Sequence, residues 1–221
     1  RSAMPGVVDG NGLVKRSTLL GWRNVDVRTP IERRFSLPVT VNNDATAAMF
    51  TERLFGKGGP NMMFVRLRRG VGGAVLLGDV PVFGENHAGG EIGHISLDPQ
   101  GPPCACGKRG CLERLVSATS LHARLQRSDE RMRASILREA GTYLGTALSM
   151  PVGLLDLADV CVYGQSDIVN DTLLSAAQAQ LDLLTGSSFH TRTIIRRCEC
   201  EGEITLRGEA LSVLHDYLEN R

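Results

Sequence analysis

The chain has no excess of charge of either sign: 25 Lys and Arg stand against 24 Asp and Glu over 221 residues. Without a net field, nothing global draws it onto nucleic acid or an anionic membrane, and specific DNA binding needs another segment. No apolar run approaches the ~18 residues that mark a membrane-spanning helix. The first residues, Arg1 to Gly10, lack the basic, apolar and small-residue regions of a secretory signal. The expectation is a soluble, cytoplasmic protein with no membrane partner. Repeats, low-complexity tracts and flexible linkers are missing as well. What is present, 42% hydrophobic residues, is enough to bury a core in one large domain or in two lobes.

Strand and helix signals alternate along the chain, the mark of an α/β fold. It opens on Met4-Pro5-Gly6-Val7-Val8 and the turn Asp9-Gly10-Asn11-Gly12, a strand end in mid-sheet that reads as an N-terminally incomplete domain. Thr29-Pro30-Ile31-Glu32 combines a capping box with proline at the first helical position and predicts a short helix to Phe35. Val39-Thr40-Val41 reads as a buried strand, and Ala45 to Leu54 as a helix stopping at Gly56. Asn42-Asn43-Asp44 therefore stands at a strand-to-helix junction. Strands are expected over Met62 to Leu67 and Ala74 to Leu77, with a hairpin through Gly78-Asp79 into Val80 to Val82. From Gly84 to Gly110 glycine and proline are dense, predicting a long ordered loop that something must hold. Beyond Glu113 a helical pattern runs to about Met150, followed by a strand to Tyr163, a helix over 170–184, a strand over 193–197 and a terminal helix from Arg207.

Three of the six cysteines are crowded into Cys104-Ala105-Cys106 and Cys111, which favours metal over a disulfide framework. With His94 they give His-x9-Cys-x-Cys-x4-Cys inside 18 residues, and Gly107 and Gly110 let the backbone turn between them. Three thiolates and one imidazole saturate tetrahedral Zn2+, so the site is expected to be structural, with no open position for catalysis. The plain alternative is reduced cysteines around a core histidine. A metal here would stiffen the glycine-rich loop and fix Glu91 and Glu113 beside it, carboxylates otherwise expected at the surface. Cys161, in Val160-Cys161-Val162, reads as a small buried hydrophobe. Cys198 and Cys200 are left as unlinked thiols or as sites of oxidation or adventitious metal.

Gly90-Glu91-Ile92-Gly93-His94 followed by Cys104-Ala105-Cys106-Gly107-Lys108-Arg109-Gly110-Cys111-Leu112-Glu113 closely resembles the signature of the ROK family, which contains bacterial sugar kinases and sugar-responsive transcriptional regulators. The resemblance extends upstream through Val41-Asn42-Asn43-Asp44-Ala45 and the Gly6 to Trp22 region, and fades after about Tyr163. It implies an actin-like, ribonuclease-H-like α/β fold with two lobes around a cleft. Residues 1–46 would be a remnant of the smaller lobe and 47–221 the larger lobe, with the terminal helix 207–221 crossing back. It further implies that Asn43, Asp44, Glu91, His94 and Glu113 bind a sugar. Carboxylates suit that task, because charge-assisted hydrogen bonds to hydroxyls are worth roughly 1.5 to 3 kcal/mol each. In the family's kinases the carboxylate matching Asp44 is the general base on the sugar hydroxyl that attacks the γ-phosphate of ATP bound with Mg2+. Read without the resemblance, Asp44 is an N-cap of the following helix.

Two departures separate this chain from those kinases. Their phosphate-binding Gly-Thr-Gly step reads Arg68-Arg69-Gly70 here, and Val162-Tyr163-Gly164-Gln165 stands where paired glycines often lie near the adenosine. Both favour an effector domain of a transcriptional regulator over an ATP-dependent hexokinase-type fragment, its ligand a hexose or amino sugar. The Asp-x-Gly-x-Thr phosphate loop and the winged helix-turn-helix are both absent, so DNA contact is expected only through another segment. A zinc-stabilised assembly module with a vestigial pocket is a third reading, since His87 occupies a position where the family usually has glycine. Homo-oligomers are expected from the resemblance alone.

Overall fold

A computed structural model of the chain describes residues 2–187, 189 and 191–219. It runs β1 (Ser2–Met4), β2 (Val7–Val8), β3 (Leu13–Ser17), β4 (Trp22–Asp26), α1 (Arg28–Phe35), β5 (Val41–Asn43) and α2 (Asp44–Phe55). Next come β6 (Met62–Leu67), β7 (Val71–Leu77), β8 (Val80–Pro81), α3 (Leu112–Val116), α4 (Ala118–Leu125) and α5 (Glu130–Leu155). β9 (Asp159–Gly164), α6 (Asp171–Thr185), β10 (Ile194–Arg197) and α7 (Ile204–Glu219) complete it. Packing divides the chain into two compact units, Arg1–Pro60 with Ala74–Gly90 and Cys198–Arg221, and Asn61–Gly73 with Glu91–Arg197. The boundary expected after residue 46 falls inside α2, all of which belongs to the first unit.

In the first unit β2, β3 and β4 form an antiparallel meander, and β1 pairs in parallel with β5. Asp9 shapes the β2–β3 turn, its Oδ1 accepting the N–H groups of Asn11 (2.9 Å) and Leu13 (3.0 Å). Val8, Val14, Val27, Val39 and Val41 form the buried cluster here, covered at its margin by Met4, Trp22, Val25 and Ile31. The capping box expected at Thr29 does not form. Helix α1 starts two residues earlier, with Val27 at its cap position. Glu32 turns instead to the Arg28 guanidinium (2.8 Å) and the N–H of Val39 (3.1 Å), a stronger charge-assisted pairing than a reach back to the cap.

Helix α7 begins at Ile204, earlier than the expected Arg207, and residues 220 and 221 lie outside the described residues. It packs on α2 at Gly208, where a Cβ would overlap the Ala47 carbonyl. Glu52, fully buried on α2, anchors the segment leading into it. Its Oε2 accepts the Cys198 thiol (3.0 Å) and the N–H groups of Glu199 and Cys200 (both 3.1 Å). Burying a carboxylate is tolerable because donors satisfy it. Cys161, Cys198 and Cys200 are buried and form no disulfide.

The second unit is built on the parallel strands β10, β9 and β6. Their buried residues, from Met62 to Val65 and from Val160 to Val162, make continuous apolar runs, as a strand covered on both faces requires. Gln178 on α6 completes the edge, accepting the Ile195 N–H (2.7 Å) and donating to the Thr193 carbonyl (2.9 Å). Helices α5 and α6 approach closely at Gly141 and Gly145, one helical turn apart, where a Cβ would strike the carbonyls of Leu173 and Ala177. The single helical pattern read after Glu113 resolves into three helices because two polar side chains act as caps. Ser117 Oγ accepts the Ser120 N–H (3.2 Å), and Asp129 Oδ1 accepts that of Met132 (2.8 Å). Helix α5 then passes the expected stop at Met150, through Pro151, and ends at Asp156 in the left-handed conformation. No helix of the described residues is long and apolar enough to cross a membrane.

Replacing Glu52 by Ala strands the donors around it and is expected to cost about 3 kcal/mol. Urea unfolding of the variant beside the parent measures that loss, and an unchanged midpoint would contradict the anchoring role.

Candidate functional site

The loop after Gly90 is ordered by its own backbone. A short 3-10 turn, Ile92–His94, follows Glu91, and bridges join Ser96 to Cys111 and Pro103 to Arg109. The Cys104 N–H donates to the Lys108 carbonyl (2.8 Å) and the Gly107 N–H returns to Cys104 (3.0 Å), a turn that sets two cysteines side by side. Gly107 (φ 97°) and Gly110 (φ 55°) occupy the left-handed region, and a Cβ at Gly110 would run into the Asp98 carbonyl.

These turns bring His94, Cys104, Cys106 and Cys111 together, with their ligand atoms all within 4.8 Å of one another. His94 Nδ1 is 3.6 Å from Cys104 Sγ, and the Sγ atoms of Cys106 and Cys111 are 3.6 Å apart. A disulfide would need about 2.0 Å. Around a tetrahedral ion with Zn–S near 2.3 Å and Zn–N near 2.0 Å, neighbouring sulfurs lie about 3.8 Å apart and sulfur and nitrogen about 3.5 Å apart. The four groups therefore fit a tetrahedral ion as they stand. Burial pushes Cys111 up to about 12. Burial also raises Cys106, but the Lys108 N–H and the thiols of Cys104 and Cys111 outweigh it and hold Cys106 below the ordinary thiol value. A divalent cation held here would stabilise all three thiolates.

The other ring nitrogen of His94 faces outward from this cluster, 3.9 Å from Glu91 Oε2. Glu113, at the start of α3, is partly buried and accepts the Val71 N–H on Oε2 (3.3 Å), close against Gly70. Glu91, His94 and Glu113 thus sit in the second unit around the loop and α3. Asn43 and Asp44 sit in the first unit at the β5–α2 junction. There the capping role read for Asp44 falls to its neighbour: Asn43 Oδ1 accepts the N–H groups of Ala45 (2.8 Å) and Thr46 (3.1 Å), and its Nδ2 donates to the Gly6 carbonyl (2.9 Å). Asp44 is the first helical residue, where a negative charge is favoured by the helix dipole. Sequence reading missed this division of labour because either residue of an Asn-Asp pair serves as a cap, and only backbone geometry chooses between them. His87 has φ 59°, the backbone shape of a glycine position, and its ring lies 5.9 Å from that of Phe83.

The ROK family model matches residues 2–148. The chain belongs to the ROK family. Among curated relatives, the ROK segment is 30% identical over 131 residues to the xylose repressor of Bacillus subtilis, covering 58% of this chain and 34% of the repressor. It is 39% identical over 121 residues to a glucokinase of Halalkalibacterium halodurans, covering 53% of this chain and 37% of that protein. The chain thus spans only about a third of the length of these relatives. Its fold matches a Streptomyces griseus ROK glucokinase solved with glucose and AMPPNP, with TM-score 0.81 at 24% identity, over 94% of this chain and 78% of that one. It equally matches a ROK transcriptional regulator homologous to the E. coli MLC protein, with TM-score 0.82 at 23% identity, over 95% and 61%. At these identities the two structures establish the actin-like ROK fold, the α/β class expected from the sequence, and both activities occur on it.

Zinc added to reduced, chelator-stripped protein is expected to bind at about one ion per chain. Binding should slow hydrogen exchange across residues 94–111, and Cys106→Ser should abolish both effects. Binding displaces thiol protons, so affinity should fall on acidification. Unchanged exchange in the presence of zinc would count against the centre.

Proposed function

We propose that this chain is the sugar-sensing effector domain of a ROK transcriptional regulator, with a structural Zn2+ held by His94, Cys104, Cys106 and Cys111 and without kinase activity. The observation that carries the sugar reading is the division of His94 between two tasks. With Nδ1 turned to the thiols and Nε2 toward Glu91, a metal on one nitrogen leaves the other to orient a carboxylate or a sugar hydroxyl. Glu91, His94 and Glu113 would offer polar groups to the sugar, as would Asn43 and Asp44. The ligand in this reading is a hexose or amino sugar. Carboxylates placed for particular hydroxyls reject epimers, because a misplaced hydroxyl leaves a polar group unpaired.

The regulator reading is supported by Arg68-Arg69-Gly70 and by the xylose repressor relative. In it the sugar selects one arrangement of the domain, the domain works as a homo-oligomer in the cytoplasm, and DNA is contacted by a segment outside these 221 residues. The glucokinase relative favours a second reading, an ATP- and Mg2+-dependent sugar kinase in which Asp44 is the general base.

Calorimetric titration with glucose, xylose and N-acetylglucosamine should detect saturable binding of at least one. Asp44→Asn should weaken it about tenfold or more while the protein stays folded, because the helix cap belongs to Asn43. Asn43→Ala should lower stability by about 1 kcal/mol through loss of that cap. Absence of binding to all three sugars by folded, zinc-loaded protein would sink the sensor reading. Sugar-dependent release of ADP from Mg·ATP would establish the kinase reading in its place.

A further inference from the structure

The parallel strands of the second unit present their carboxyl ends together, the side on which α/β sheets generally receive ligands. Arg68 immediately follows β6, and Tyr163 is the penultimate residue of β9, with Arg66 opposite Tyr163 and Leu67 opposite Gly164 in the ladder. Arg68, in the segment that replaces the phosphate-binding glycine step, and Tyr163, in the segment that replaces the paired glycines, are in contact. The Arg68 guanidinium carbon lies 5.7 Å from the Tyr163 ring centroid, and Nη1 donates to the phenol oxygen (3.4 Å). The ring is in turn stacked with buried Phe64, 6.4 Å between centroids and 24° from parallel. Cation, phenol and core aromatic thus form one layered contact, which holds a long flexible side chain across the strand ends.

The turn beneath is occupied as well. A glycine turn binds phosphate when its N–H groups point free at the anion. Here the Arg68 N–H donates to the Gly70 carbonyl (3.0 Å) and the Val71 N–H to Glu113 Oε2 (3.3 Å). A triphosphate reaching the second of these would have to displace a carboxylate of its own charge sign.

We propose that Arg68 and Tyr163 act as a single closure that excludes nucleoside triphosphates from the β6–β7 turn, making them the residues that separate this chain's ligand choice from that of an ATP-using relative. The inference rests on the sugar-effector reading and supplies the physical reason why sugar would be bound without phosphoryl transfer. The pair matters more than either residue. Arginine alone is a good phosphate partner, but one stacked on a phenol cannot turn its fork to an anion without giving up that contact.

Mg·AMPPNP titrated into the zinc-loaded chain, the Arg68→Gly variant and the Arg68→Gly/Tyr163→Gly double variant tests the closure. The parent should show no saturation at about 1 mM, and the double variant should bind about tenfold or more tightly than the parent. Arg68→Thr, which leaves β9 untouched, should show part of the gain and serves if the double variant does not fold. Two results would overturn the proposal: parental binding that weakens in Arg68→Gly, which makes Arg68 a phosphate ligand, or equal response, including none, in folded parent and variants. Sugar titrated into the same samples keeps the two readings apart. Gain of AMPPNP binding without sugar binding in any sample sinks the sensor reading and leaves the closure standing.

Discussion

Three thiols and one imidazole drawn within reach of one another are the constraint on which the functional half of this chain depends. The segment from Gly84 to Gly110 is too rich in glycine and proline to be ordered by helix or strand propensity, so backbone entropy works against it. What opposes that cost is local: crossed backbone bonds such as Cys104 to Lys108 and Gly110 to Pro102, and a ligand set matched to one tetrahedral ion. Glu91 lies beside the outward nitrogen of His94, and Glu113 at the first turn of α3.

Much of this was legible in the residues. The spacing of His94, Cys104, Cys106 and Cys111 sufficed to place four side chains in one cluster, because short loops with glycine at the turns leave few other conformations. Alternation of apolar runs and helical periods disclosed the α/β class. The failures share one physical origin, competition between local partners that sequence cannot rank. Thr29 lost the cap of α1 because Glu32 found Arg28 and the Val39 N–H. Ser117 and Asp129 cut one helical period into three helices, since a cap costs a helix little when the packing resumes beyond it. Pro151 stayed inside α5, where buried Leu148 and Val152 hold the helix on either side. Glu52, unremarkable in sequence, is fully buried because its partners come from residues 198–200, far along the chain.

The same fold carries kinases and regulators, so the difference between them has to be sought in side chains. Arg68, Tyr163 and Glu113 converge on one turn of the second unit, two adding bulk and charge above it and the third consuming one of its amides. Read singly in the sequence, each is an ordinary substitution. Their contact gives them a common meaning, and no pattern in the linear text places residue 68 against residue 163.

The anchoring of α7 has a consequence for how the polypeptide is made. Thr51 Oγ1 donates to the Ile204 carbonyl (2.6 Å), Asn42 Nδ2 to the Glu209 carboxylate (3.1 Å), and Gly208 lies against Ala47. The first unit therefore stays unfinished until residues beyond 198 have left the ribosome, while the second, interrupting it, has all its residues earlier. Synthesis order thus favours the inserted unit maturing ahead of its host, with α2 exposed in the interval and in need of protection from aggregation.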